Sequence, residues 1–107
     1  MRRSDRERLQ DLAQAIDAIR AHIAIRASRA ERLKRDAILY NLMIVGEAVK
    51  GLSEETKARR PEIPWKQIAG LRDLLAHEYF RIDLNEIAKV IERDLGPLDD
   101  AVRKLLR

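Results

Sequence analysis

The first 45 residues of the chain contain neither glycine nor proline, the two residues that most often interrupt regular structure. Within this stretch apolar side chains recur at spacings of three and four, which is the period of one helix face. One such stripe is formed by Leu9, Leu12, Ile16, Ile19 and Ile23. A long first helix near residues 5–25 is therefore predicted, and its apolar stripe must be covered by other helices.

The composition fits a chain of packed helices. With 107 residues, 46% of them apolar and only 4% aromatic, the chain is expected to form a single domain over residues 1–107. It has no cysteine, which excludes disulfides and thiolate metal sites and makes the cytoplasm the expected compartment. No apolar run approaches the roughly 20 residues that a membrane span needs, so no membrane association is expected.

Helix starts are indicated by Ser or Asp followed three residues later by Glu, the capping-box signature. It occurs at Ser4–Glu7, Ser28–Glu31 and Asp83–Glu86. Further helices are predicted near 29–50, over 65–76 and from Leu84 to Leu106, the last one disturbed at Gly96-Pro97. Between them, a short helical turn capped by Ser53 and a turn over 77–82 are predicted. The expected fold is an all-α, four- to five-helix up-down bundle.

The second helix is apolar nearly all round. Leu33, Ala37, Tyr40 and Ile44 form one stripe, and other apolar residues cover most remaining directions. Such a helix is buried on several sides, so it is either the central helix or one shared with a subunit interface. Gly51 is the expected end of this helix. Tyr40 and Trp65 are interpreted as core residues and not as platforms on which RNA bases stack.

Positive charge is concentrated at the N-terminal end. The net charge is +4, and residues 1–35 hold ten Lys and Arg against five Asp and Glu. This surplus would attract a polyanion such as RNA. A solvated helix face has the same composition, so charge alone leaves both interpretations open.

The two histidines differ in their neighbours. His22 lies within the first helix and is interpreted as structural, whereas His77 follows Arg72 and Asp73 closely and precedes Glu78 and Tyr79. A zinc-protease helix motif is excluded, because its second histidine would stand where this chain has Arg81. A Mg²⁺ site formed by Asp73 and Glu78 is compatible with the sequence but unspecific, and no cofactor is expected.

Arg72 and His77 are suited to phosphodiester cleavage without a metal. A histidine can move a proton near neutral pH, and an arginine can stabilise negative charge growing on phosphoryl oxygens. Five residues separate them, which places them about 140° apart around a helix. They can cooperate if the helix frays at Ala76 or if two copies face each other across a two-fold axis. The alternative is a histidine that only stabilises a helix C-terminus.

The spacing Arg72-(four residues)-His77-Glu78-Tyr79 resembles the Arg-x₄-His-x-Tyr motif of the HEPN superfamily, in particular of its HepT-like ribonuclease toxins. Three further segments, residues 41–48, 64–72 and 77–80, resemble the second helix of that family, the approach to its active helix and the exit from it. The resemblance covers nearly the whole chain.

This resemblance implies a metal-independent endoribonuclease that acts as the toxin of a toxin–antitoxin pair. It assigns Arg72 and His77 as the catalytic pair, with Asp73 in an uncertain supporting role. It also implies a homodimer whose motifs meet in a shared cleft. The partner is a minimal nucleotidyltransferase antitoxin that attaches AMP to Tyr79, whose hydroxyl is expected beyond the helix end in solvent; alternatively, Tyr79 only packs its ring and hydrogen-bonds a neighbour.

Two polar residues, Asn41 and Glu47, interrupt the apolar second helix. A buried polar group needs partners, so each is a candidate for orienting Arg72 or His77; a self-satisfied Asn and a partly exposed Glu are the alternative. A different class of function also fits the sequence. The chain would then be a non-catalytic helical module that docks a nucleotidyltransferase or binds a nucleotide through the same motif.

Overall fold

The computed structural model describes residues 2–23 and 31–107, and within these residues the ordered elements are all helical. The helices are α1 (Arg3–Ile23), α2 (Glu31–Gly51), α3 (Glu54–Ala58), α4 (Trp65–Glu78), α5 (Leu84–Val90) and α6 (Gly96–Leu106). A 3₁₀ turn, Tyr79–Arg81, follows α4, and a π-helical segment, Ile91–Leu95, joins α5 to α6. The predicted all-α bundle is confirmed; the helix start expected at Ser28–Glu31 and the side chain of His22 lie outside the described residues.

Helix α2 lies at the centre of the bundle. It packs against α1 on one side and α4 on the other, and α1 also contacts α6. This confirms the prediction made from its nearly all-round apolar surface. The α2 residues that are almost fully buried face these neighbours: Leu39, Leu42, Val45 and Val49.

The predicted apolar stripe of α2 is exposed at Leu33 and Tyr40, whereas its other two residues, Ala37 and Ile44, are partly buried. Leu33 is 72% exposed and Tyr40 is 62% exposed, so the interpretation of Tyr40 as a core residue is wrong. The sequence pattern identifies an apolar stripe but cannot tell which neighbour, if any, covers it. The interpretation of Trp65 is confirmed, since it is buried and its indole Nε1 donates to the carbonyl oxygens of Lys57 and Arg60.

The last helical region is interrupted as predicted, immediately before Gly96-Pro97. Here the chain forms the π-helical segment Ile91–Leu95, and α6 begins at Gly96 with Pro97 in its first turn. Proline lacks an N–H group and its ring crowds the carbonyl four residues earlier, so the wider π turn accommodates it. The region therefore continues to Leu106 and packs Leu98, Val102 and Leu105 into the core.

The acidic residue of the first capping signature serves another helix. Helix α1 begins at Arg3, one residue before the predicted cap Ser4, and Asp5 lies inside its first turn. The Asp5 carboxylate is buried and accepts hydrogen bonds from the Ser53 N–H, the Ser53 hydroxyl and the Thr56 hydroxyl. Ser53 caps α3 as predicted, by accepting from the Thr56 N–H at 3.2 Å. Asp5 thus ties α1 to the start of α3.

We expect Asp5→Ala to lower the free energy of unfolding at pH 7 by about 1–3 kcal/mol, because it leaves the Ser53 and Thr56 donors without their acceptor. Burial alone would raise the pKa of Asp5, but the hydrogen bonds from Ser53 and Thr56 outweigh it and hold the pKa below 3.8. The stabilisation is therefore complete above pH 3.8 and is lost as the pH falls through the lower, folded-state pKa.

Urea unfolding at pH 7 and at acid pH measures this effect. The matched control is Asp11→Ala, which removes an exposed carboxylate of the same helix and should change little. Equal stabilities of the two variants at pH 7 would contradict the role given to Asp5.

Candidate active site

Helix α4 presents the residues of the motif on two different faces. Its buried residues Trp65, Ile68 and Leu75 face α2. Arg72 and Tyr79 lie on the same side, because they stand at spacings of three, four and seven from these residues. His77 lies about 140° around the helix from Arg72 and is exposed. Fraying at Ala76, one of the two alternatives for bringing Arg72 and His77 together, is not what the structure has, because α4 continues to Glu78. The predicted turn begins at Tyr79 instead of His77, as the 3₁₀ turn Tyr79–Arg81. A regular helix therefore keeps Arg72 and His77 of one chain on separate faces.

The Arg72 guanidinium is held by two carboxylates. Its Nε donates to Glu47 Oε2 at 2.9 Å, and one terminal nitrogen donates to Asp73 Oδ1 at 3.2 Å. The hydrogen bonds to Asp73 and then to Glu47 raise the pKa of Arg72 above its usual value. Of the five N–H groups of a guanidinium, these two bonds use two. The structure thus brings Glu47 to Arg72, as expected of one of the two polar residues of α2.

Gly46 sets the distance between α2 and α4 at this point. A Cβ atom on Gly46 would lie 2.6 Å from the backbone nitrogen of Arg72 and 3.0 Å from its Cβ. Any side chain there would therefore push the two helices apart and move Arg72 away from Glu47. No role for Gly46 was predicted from the sequence, although a glycine inside a long apolar helix is a signal of such a close approach.

The His77 ring has a fixed orientation. Its Nδ1 lies 2.7 Å from the carbonyl oxygen of Asp73, one turn earlier in α4. A carbonyl oxygen can only accept, so Nδ1 carries the proton of this bond and Nε2 of the neutral ring is left as an acceptor. The ring is exposed, which places that acceptor at the surface, where it can take a proton from a bound substrate.

Asp73 connects the two candidate catalytic residues. Its carboxylate bonds to Arg72, and its backbone carbonyl accepts the bond from His77. The same carboxylate oxygen, Oδ1, also lies 3.8 Å from the Lys50 Nζ on α2. The candidate site therefore contains two carboxylates, Glu47 and Asp73, and two basic side chains, Arg72 and Lys50. No role for Lys50 was predicted from the sequence.

Tyr79 is hydrogen-bonded to two residues of α2. Its half-buried hydroxyl donates to Asp36 Oδ1 at 2.9 Å, and its carbonyl oxygen accepts from Arg35 at 3.0 Å. The Arg35 guanidinium also lies 5.5 Å from the centre of the Tyr79 ring. Burial and the Asp36 contact raise the pKa of Tyr79. The expectation of a hydroxyl directed into solvent is therefore wrong, and the alternative of a packed, hydrogen-bonded ring is what the structure has.

The structure places Asn41 away from these residues. Its amide donates to the carbonyl oxygen of Ala37 at 2.8 Å, and it lines a groove between α1 and α2 together with Asp11 and Gln14. Asn41 and Glu47 are six residues apart, so they lie about 120° from each other around α2. Only Glu47 of this pair reaches α4.

The carboxylates proposed for Mg²⁺ do not converge. Asp73 bonds to Arg72 and Lys50, whereas Glu78, five residues later, lines a separate groove with Asp83 and Glu86. Across residues 2–23 and 31–107, no group of three or more His, Asp or Glu side chains is arranged to hold a metal ion.

Among the helices that the structure describes, none is long and apolar enough to cross a membrane.

A helical bundle that carries a fixed arginine and a histidine with an open ring nitrogen has the groups that cleavage of a phosphodiester requires. Arg72 and His77 are residue types that a nuclease uses, and comparison with known proteins decides the class. The chain belongs to the HepT-like ribonuclease family: the profile described as "Ribonuclease HepT-like" matches residues 9–105. It is therefore a ribonuclease.

Individual relatives agree with this assignment. The chain is 33% identical to the "Probable ribonuclease HepT" of Thermococcus cleftensis, over 98% of each protein. It is 39% identical to a protein of Caldanaerobacter subterraneus named as a candidate RNase, over 66% of this chain and 63% of that protein. A similarly named protein of Methanocaldococcus jannaschii is 38% identical over 70% of this chain and 65% of its own length. No solved structure matches the chain significantly.

Proposed function

We propose that the chain is a metal-independent endoribonuclease and the toxin of a toxin–antitoxin pair, acting on RNA in the cytoplasm. The observation that carries the proposal is the His77 ring, whose Nδ1–H is bonded to the Asp73 carbonyl oxygen so that Nε2 is free to accept a proton. Arg72, held by Glu47 and Asp73, supplies the positive charge that stabilises the phosphoryl oxygens during the reaction.

In the proposed reaction, His77 Nε2 takes the proton of a ribose 2′-hydroxyl. The freed oxygen attacks the adjacent phosphorus while Arg72 stabilises the charge that grows on the phosphoryl oxygens. The bond from phosphorus to the 5′-oxygen breaks, and a protonated His77 of a second subunit gives that oxygen its proton. The products are a 2′,3′-cyclic phosphate and a 5′-hydroxyl.

The active form is proposed to be a two-fold homodimer. Arg72 and His77 lie on separate faces of α4, so a complete site needs His77 of one copy beside Arg72 of the other. The exposed α2 stripe supports this assembly, because Asp36, Tyr40 and Glu47 lie within about 40° of one another around α2. Tyr40 is thus flanked by the residues that contact Tyr79 and Arg72, and a second copy seated there would border both.

Regulation is proposed to act through Tyr79. A minimal nucleotidyltransferase antitoxin would transfer AMP from a nucleoside triphosphate to the hydroxyl, which lies on the same register of α4 as Arg72. The transfer breaks the hydrogen bond to Asp36 and places a phosphodiester near the site. Nearby negative charge opposes the binding of an RNA phosphate, so the modified protein would be inactive.

The test is cleavage of a defined RNA by the purified protein with excess EDTA. We expect unchanged cleavage in EDTA and products that end in a 2′,3′-cyclic phosphate and a 5′-hydroxyl, identified by mass spectrometry of the fragments. Loss of cleavage in EDTA, or 3′-hydroxyl products, would contradict the mechanism. A protein that binds the nucleotidyltransferase but cleaves no RNA would instead be the non-catalytic docking module.

A further inference from the structure

The Asp73 carboxylate lies between two cations of different helices. Its Oδ1 is 3.2 Å from a terminal nitrogen of Arg72 and 3.8 Å from the Lys50 Nζ. The Asp73 and Lys50 side chains are each 56% exposed, so the three groups meet at the surface rather than in the core. One anionic oxygen is thus shared by a guanidinium and an ammonium at an open position.

The backbone fixes this arrangement. Lys50 follows Gly46 by one turn on α2, and at Gly46 the backbones of α2 and Arg72 approach closely. The long Lys50 side chain can therefore reach across to α4 beside Arg72. Arg72 is kept in place from the other side by the bond from its Nε to Glu47, which does not involve Asp73. Arg72 can thus stay in place when Asp73 leaves, and the anion that replaces Asp73 takes over its contact with Lys50.

We propose that Lys50 is a phosphate-binding residue of the RNA site, and that one RNA phosphate replaces the Asp73 carboxylate between Lys50 and Arg72. A phosphate oxygen accepts the same bonds as a carboxylate oxygen, and Arg72 still has N–H groups to offer it. An exposed aspartate can rotate away at small cost, since exposed ion pairs contribute little to stability. The inference rests on the proposed role of Arg72 in binding the phosphate.

The experiment measures binding, not cleavage. A single-stranded RNA with a 2′-O-methyl group at every position cannot be cleaved by 2′-hydroxyl attack, so its affinity is determined across a range of salt concentrations. We expect Lys50→Ala to weaken binding about three- to tenfold at low salt and to reduce the slope of log affinity against log salt by roughly 0.7, the value for one phosphate contact on a single strand. Lys50→Arg should preserve both.

The matched control is Lys104→Ala. Lys104 on α6 is 3.0 Å from Asp100, so its loss also removes one lysine paired with an aspartate, away from α4. The RNA affinity of Lys104→Ala, and the salt dependence of that affinity, should stay near wild type. If Lys50→Ala behaves like Lys104→Ala, the proposal is overturned.

A second variant tests the replacement of Asp73. We expect Asp73→Asn to bind the same RNA about three- to tenfold more tightly, because the anion that competes for Lys50 and Arg72 is gone. Weaker binding would contradict the replacement. These binding results can be distinguished from a failure of the nuclease mechanism. If the protein cleaves no RNA but needs Lys50 to bind it, the proposed phosphate site holds and only the proposed catalysis is wrong.

Discussion

Arg72→Ala and His77→Ala are each expected to reduce RNA cleavage by at least about a hundredfold, the scale associated with a general base or an electrostatic stabiliser. The two side chains sit at the surface of α4, and His77 is exposed, so neither change removes buried apolar contacts. Helix content and melting temperature should therefore remain close to wild type. Initial cleavage rates on a defined RNA, with circular dichroism melts of the same samples, measure both effects.

Arg93→Ala is the matched control for the arginine. Like Arg72, Arg93 donates to the aspartate that follows it in sequence, but it lies on the π-helical segment near α6. It therefore controls for the loss of one paired guanidinium, and full activity is expected. Normal cleavage by His77→Ala, or an equal loss in Arg93→Ala, would be incompatible with the mechanism.

Mixing the two inactive variants tests the shared site. If each site combines Arg72 of one chain with His77 of the other, half of the randomly paired dimers are mixed and one of their two sites keeps both groups. Water must replace the missing second His77 as the proton donor there, so up to about a quarter of the wild-type activity should return. Restored activity should disappear when the mixture is diluted below the dimer dissociation constant. Failure to recover any activity from a mixture that forms dimers would mean that the sites are not composed in this way.

The fold was predictable because the local signals were strong. The absence of glycine and proline before Gly46 and the apolar stripe of α1 predicted the long helices, and Pro97 predicted the irregularity that the π segment provides. The end of α4 was predicted too early. No glycine or proline follows Gly70 until Gly96. Tyr79 accepts a bond from Arg35 and donates one to Asp36, and these contacts with α2 hold the helical conformation past His77. Such partners are distant in sequence and leave no local pattern.

The site was predictable in its chemical groups but not in its contacts. The resemblance to the family motif selected Arg72 and His77 as candidates, and the polar interruption of an apolar helix selected Glu47. The same reasoning selected Asn41, because periodicity does not tell which side of a doubly buried helix faces α4. Lys50 was missed for a related reason: a lysine near a helix C-terminus is ordinary, and its approach to Asp73 depends on the crossing at Gly46.

Co-expression with a minimal nucleotidyltransferase, the proposed antitoxin, is expected to add whole AMP units to Tyr79 and to abolish RNA cleavage without unfolding the protein. During transfer the Tyr79 oxygen forms a bond to the α-phosphorus of the triphosphate, pyrophosphate leaves, and the hydroxyl proton is given up. The product can no longer donate to Asp36, and its phosphodiester is repelled by that carboxylate and attracted by Arg35 above the ring. Arg72 lies two turns earlier, about 10 Å along the same face, so added nucleotides can extend over it.

Tyr40 provides the control, because it is the only other tyrosine of the chain and, at 62% exposed in the single chain, is more accessible than half-buried Tyr79. Before a second copy covers Tyr40, accessibility alone would direct modification to it. We therefore expect the intact mass to rise in AMP units in wild type and Tyr40→Phe, and not to rise in Tyr79→Phe. Labelling of Tyr40 would refute the assignment. An unchanged mass with full loss of cleavage would mean that the partner inhibits by covering the site, and that the bond between Tyr79 and Asp36 is never opened.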